Sequence, residues 1–194
     1  MPCLSRDWES QAAVLGGKVS KEDCVLGLST KVSLTAQCDV GLVEAWERFV
    51  PVDLAKVFPK PQGPIPNVVD VRDHSGTWDI VGQTRSVVLS DGMVVTEEIT
   101  ESDPSHGSLP SGNTAHFGYR VSGFTGPLGW LTDEARGTWD FREDNGKTQI
   151  EWQYTFNARF ALAKPVLSVI VTVFWRRFMN EGLRNVVQIL ERQE

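Results

Sequence analysis

The chain has 194 residues, 41% hydrophobic and 23% charged, with 19 Lys and Arg against 25 Asp and Glu for a formal net charge of −6. That is the size and balance of one soluble globular domain, with room for a tail. Acidity without a basic run (Arg176-Arg177 is the only adjacent basic pair) argues against both a nucleic-acid and an anionic-membrane surface, because both need clustered positive charge.

Cys3, Cys24 and Cys38 are odd in number and have no C-x-x-C spacing, which fits a reducing compartment and excludes a disulfide scaffold. Arg6, Asp7 and Glu9 interrupt the N-terminus, so no signal peptide is expected there. The most apolar stretch, Val166 to Trp175, is about half of a bilayer span. The expectation is a cytoplasmic protein with no stable membrane insertion.

In chain order, residues 1–23 read as an N-terminal extension, in which Ser5 caps a short helix through Leu15, and residues 24–194 as the domain. Leu26, Leu28, Thr30, Val32 and Leu34 alternate with Gly27, Ser29, Lys31 and Ser33, the period of a half-buried strand. Asp39 then caps a helix bearing Leu42, Val43, Trp46, Phe49 and Val50, which Pro51 ends, and residues 52–58 give a second short helical piece. Four prolines in 59–66 make an extended connector. Strands are predicted over 67–73, 77–90, 93–101, 115–122, 134–143 and 147–157, and Asn145-Gly146 is the firmest hairpin signal among their connections. A helix of some 25 residues, beginning near Pro165, closes the chain.

A curved antiparallel sheet with one apolar face must bury that face, and only the last helix is long enough to lie along it. This order, with a helix pair between the first two strands (Ser33 to Phe58), resembles the helix-grip fold of the START-like (SRPBCC) superfamily, and most closely its polyketide cyclase/dehydrase-like and lipid-transport proteins. The likeness is carried by the block Gly82 to Leu89, then Asp91-Gly92, Glu97-Glu98-Ile99, Tyr119-Arg120-Val121 and the terminal helix through Glu191. It covers residues 24–191 and is specific for fold, not function. It implies an α+β fold: a curved six- or seven-stranded antiparallel sheet around a long C-terminal helix, with a hydrophobic cavity between them.

The inward face is expected to carry Val87, Leu89, Val95, Ile99, Phe117, Val121, Trp139, Trp152 and Phe156 as cavity wall. Arg85 shares the face of Val87 and Leu89, and a charge there needs a partner. If Asp91-Gly92 closes with a three-residue loop, Val87 lies opposite Glu97 and Arg85 opposite Ile99, leaving the charges diagonal neighbours. A two-residue loop shifts the register and places Glu98 beside Arg85. The resemblance implies that Glu97 points inward. The pair serves as a polar anchor for a ligand oxygen or as a strand-to-strand ion pair. Tyr119 and Tyr154, the only tyrosines, also fall on inward faces, and each needs a hydrogen-bond partner there.

Trp78 follows a turn and is a candidate for the cavity rim. His74, His106 and His116 are dispersed, with His116 facing outward, so no metal site is expected. Residues 123–129 hold glycines but no phosphate-binding Lys-Ser/Thr, and read as a turn or mobile lid over the cavity mouth. On the last helix Val169, Val173, Arg176 and Asn180 form one stripe beside another of Ile170, Phe174, Met179 and Leu183. Both cannot be buried, so the Arg176 stripe either lines the entrance or is a solvated flank.

The first functional expectation is binding of a small hydrophobic molecule such as a lipid or polyketide, with no cofactor and a homodimer left open. The alternative, implied by the resemblance, is a cyclase/dehydratase-like enzyme using Arg, Tyr and carboxylate groups for proton transfer. The Ser-Gly-Leu-Pro gate of the related plant hormone receptors is not matched, since Ser90-Asp91-Gly92-Met93 stand in its place.

Overall fold

A computed structural model describes residues 28–104 and 107–192. The predicted helix over 5–15, Cys3, Cys24 and His106 lie outside the described residues. β1 (Ser29–Cys38) is followed by α1 (Leu42–Phe49) and the single turn α2 (Leu54–Val57). Then come β2 (Val68–Arg72), β3 (Thr84–Leu89), β4 (Val94–Asp103) and β5 (Thr114–Ser122). A short helix α3 (Gly126–Leu131) runs into β6 (Thr132–Asp144), and β7 (Lys147–Ala158) returns beside it. The terminal helix is continuous: α4 (Ala163–Val169), a π-helical segment (Ile170–Trp175) and α5 (Arg176–Leu190).

All seven strands form one antiparallel sheet in the order β1-β7-β6-β5-β4-β3-β2, which is the helix-grip architecture. The β6–β7 hairpin turns on Asn145 and Gly146, both with positive φ (53° and 76°), as a type I′ turn requires. The concave face shows a strict alternation, with Ile150, Trp152, Tyr154 and Phe156 of β7 all buried. α5 covers this face with Phe178, Met179, Leu183, Val186 and Leu190. Arg48 of α1 donates to the carbonyl of Leu190, satisfying an end carbonyl of α5, and Asn185 Nδ2 donates to Val57 O at 2.8 Å, tying α2 to the same helix. Glu143 of β6 accepts from the Leu42 amide at 2.9 Å at the start of α1. Both short helices are thereby fixed to the sheet and the long helix, closing one end of the fold.

Three expectations change, and one open alternative is decided. β3 begins only at Thr84, because residues 77–83 turn, with Gly82 at φ +88°, so Trp78 sits in a loop and not on a strand. The 123–129 segment is not a simple turn: it leads into α3, with Pro127 in its first turn. The stripe through Val169, Val173, Arg176 and Asn180 is exposed throughout, so it is the solvated flank and not the cavity entrance. The register of β3 on β4 also differs. The loop has three residues, Ser90 to Gly92, closed by Leu89 N donating to Met93 O at 2.8 Å. Gly92 takes φ +86°, the left-handed step that ends such a loop. Leu89 thus faces Met93, Val87 faces Val95, and Arg85 lies directly across from Glu97.

Candidate functional site

Between the concave sheet and the terminal helix lies a cavity of about 330 Å3, within the usual size range of small-molecule sites. Of the residues expected to form the site, Arg85, Val87, Leu89, Val95, Glu97, Phe117, Tyr119, Val121, Trp139, Trp152 and Tyr154 all line it. Ile99 and Phe156 do not: both point inward but are sealed under their neighbours. Alternation names a face and says nothing about depth.

Three aligned rows across the sheet build the wall. The first, Arg85–Glu97–Val121–Ala135–Phe156, sets a charge pair at one side of an apolar row. Arg85 and Glu97 are only 7% and 8% exposed. Nε of Arg85 donates to Glu97 Oε2 at 2.8 Å, and Nη2 reaches the same oxygen at 2.7 Å. Among the described residues none accepts from Nη1. The guanidinium lies 3.7 Å from the Trp78 ring centre, a cation–π contact that holds its plane. The arrangement neutralises the buried charges against each other while leaving donor capacity on the arginine.

The second row is Ile99–Tyr119–Gly137–Tyr154–Val32. Gly137 is the gap that lets the two phenols approach: a Cβ there would lie 2.2 Å from Cζ of Tyr119. The tyrosine rings meet edge-to-face at 5.9 Å, and Trp152 Nε1 donates to the Tyr119 hydroxyl at 3.1 Å. The expected polar partner of Tyr119 is therefore a side chain. Burial, and then the nearby Glu97 carboxylate, push the Tyr119 phenol far above its usual value. Burial, then Tyr119 and Glu97, do the same to Tyr154. Both stay protonated and can donate hydrogen bonds but not act as bases at neutral pH.

The third row, Phe117–Trp139–Trp152–Leu34, contains two stacked indoles, with centroids 4.4 Å apart and planes inclined by 11°. Phe49 of α1 closes on this row at 5.0 Å from Trp139. Phe58, after α2, stacks on Phe178 of α5 at 4.2 Å. These two, with Phe124, Phe174 and Trp175, complete an aromatic lining that sequence reasoning missed. The signal for Phe49 was present in the helical spacing of Trp46 and Phe49; nothing local marks Phe58 as facing a cavity. The Pro64–Pro66 connector also reaches the rim, beside Asp91, Thr125 and Pro127.

Outside the cavity, His116 faces outward as expected, between Asp140 (Nδ1–Oδ1 2.7 Å) and Glu101 (Nε2–Oε2 2.9 Å). Among the described residues no group of three side chains could hold a metal ion, and no helix is long and apolar enough to cross a membrane. Cys38 is buried, and burial raises its thiol.

This is the helix-grip fold seen in Bet v1-like proteins. Norcoclaurine synthase from Thalictrum flavum, solved in complex with dopamine and hydroxybenzaldehyde, aligns with a TM-score of 0.59 at 10% identity, covering 86% of this chain and 89% of that one. Major latex-like protein 151 from Panax ginseng aligns at 0.54 and 14% identity, covering 83% and 97%, and Ara h 8.0201 at 0.55 and 13%, covering 84% and 94%. No family model matches the sequence, and no curated protein does. Identities this low establish the fold alone.

Proposed function

We propose that this protein binds a small, mostly apolar molecule in the cavity, with an oxygen of that molecule set against Arg85. The observation that carries the reading is one buried ion pair in a mostly apolar, aromatic wall, with Nη1 of Arg85 unused by the described residues. Apolar surface supplies affinity, and one fixed polar group supplies orientation. Lipids and polyketides both have this chemistry, and no cofactor is needed to hold them. Two protonated phenols and a carboxylate engaged by arginine support holding a ligand more than proton transfer, so the cyclase-like alternative ranks second. A cytoplasmic setting suits the buried free thiol of Cys38.

Native mass spectrometry of freshly expressed protein, followed by extraction of what co-purifies, tests the reading directly. The expected result is a bound apolar molecule bearing oxygen. The apolar dye ANS should bind the native protein and be weakened by Val95→Trp, which fills the cavity. Neither a co-purified molecule nor dye binding, or dye binding indifferent to Val95→Trp, would overturn it. Turnover of an extracted ligand, lost in Tyr119→Phe, would move the cyclase-like reading to first place.

A further inference from the structure

The terminal helix is apolar on two sides along its first half. Leu167, Ile170, Val171 and Phe174 face the interior. Leu162, Val166, Val169 and Val173 recur at four-, three- and four-residue steps on the outside, and all are exposed, Leu162 by 84%. A helix face of this kind is normally covered. The patch extends beyond the helix. α3 packs against α4, and Arg159 N donates to Leu131 O at 2.8 Å, which sets Phe160 beside the end of α3. Trp130 of α3 is 75% exposed and Phe160 is exposed too.

Charge identifies what covers this face. From Trp152 to Asn180 the chain carries Arg159, Lys164, Arg176 and Arg177 and no acidic residue, although the whole chain is at −6. Arg159 is paired with Asp133, whereas Arg176 and Arg177 extend the apolar stripe as exposed residues. A symmetric contact with a second copy would set this basic face against itself. An aliphatic stripe with an aromatic flank and arginines at its end matches the interface of an anionic lipid bilayer. The patch also borders the cavity mouth, because Thr125 and Pro127 at the start of α3 are rim residues and Ile170 and Phe174 lie on the inner side of the same helix.

We infer that the face formed by Leu162, Val166, Val169, Val173, Trp130 and Phe160 docks this protein peripherally on anionic lipid membranes. Insertion is shallow and reversible, because no spanning element takes part. Resting on the ligand-binding reading, the further consequence is that an apolar ligand passes between bilayer and cavity beside α3.

Flotation with vesicles of phosphatidylcholine mixed with phosphatidylserine, against pure phosphatidylcholine, tests the docking itself without any ligand. Wild type should float with the mixed vesicles, weakly with the neutral ones, and be released by salt. Arg176→Gln with Arg177→Gln should lower affinity for mixed vesicles roughly thirtyfold, at about 1 kcal/mol per basic residue near an anionic surface. Leu162→Ser with Val166→Ser should weaken binding to both vesicle types about tenfold. All four positions are exposed, so thermal unfolding should not move. Failure of wild type to float, or flotation unchanged in both pairs, overturns the inference. A dimer in sedimentation that Leu162→Ser with Val166→Ser disperses assigns the face to a second copy and also overturns it. Flotation without any cavity ligand upholds docking and counts only against the ligand reading.

Discussion

The Arg85–Glu97 pair gives the sharpest quantitative test, because removing either member strands the other as an unpaired buried charge. Glu97→Gln leaves an arginine that cannot lose its proton, held in an apolar wall with a neutral amide as partner. Breaking a fully buried pair costs about 3–5 kcal/mol; the 7% and 8% exposures and the retained amide oxygen place this variant near the low end, about 3 kcal/mol. Arg85→Met strands a buried carboxylate without its partner and should cost a similar amount. The double variant should be more stable than the sum of the singles by more than about 1.5 kcal/mol. Urea unfolding of the four proteins measures all of this. Penalties that add within about 0.5 kcal/mol would refute a desolvated, mutually neutralised pair. Affinity for any co-purified molecule, measured on the same proteins, should fall at least tenfold in Arg85→Met; unchanged affinity removes the pair from the site and makes Tyr119 and Tyr154 the next anchors.

Gly137→Ala should destabilise the fold by about 2–4 kcal/mol, because the new methyl group overlaps the Tyr119 ring and displaces the hydroxyl that accepts from Trp152; normal stability would mean the phenol has other room. Burial lowers the His116 pKa, but hydrogen bonds and charge from Asp140, then Glu101, outweigh it and hold it above the usual value. The stabilisation this brings is full below about pH 6.5 and is lost as pH rises through the raised folded value, so His116→Gln should cost up to about 1 kcal/mol at pH 6 and less at pH 8.5, read by thermal unfolding. Both tyrosines are buried with raised values, so the native protein should show no phenolate absorbance near about pH 10.5, where exposed phenols ionise, and gain the band only on alkaline unfolding. A phenolate band in still-folded protein would contradict the packing.

Most of the sheet was legible because half-buried strands repeat every two residues. The inward set Val87, Val95, Phe117, Val121, Trp152 and Tyr154 follows from that period alone. Legibility ended where geometry depends on how a loop closes. One loop, Ser90 to Gly92, decided whether Arg85 would meet Glu97, Ile99 or Glu98. Trp78 reads as a strand residue, yet it lies beside Arg85 because Gly82 turns the chain. Ile99 shows the limit of face without depth, and Phe58 the limit of local reading, since its partners Trp152 and Phe178 are far away in sequence. Whole-chain acidity likewise masked a basic, apolar half-helix, because charge summed over 194 residues carries no address.

The stacked pair of Trp139 and Trp152 has an optical consequence. Two indoles 4.4 Å apart and nearly parallel share their excited states, so they absorb as one coupled chromophore and not as two independent ones. Both rings line the cavity, so a guest pressing against them would alter the coupling before it altered the fold. The molecule thus carries a built-in reporter of occupancy, readable without a label and before the guest has been named.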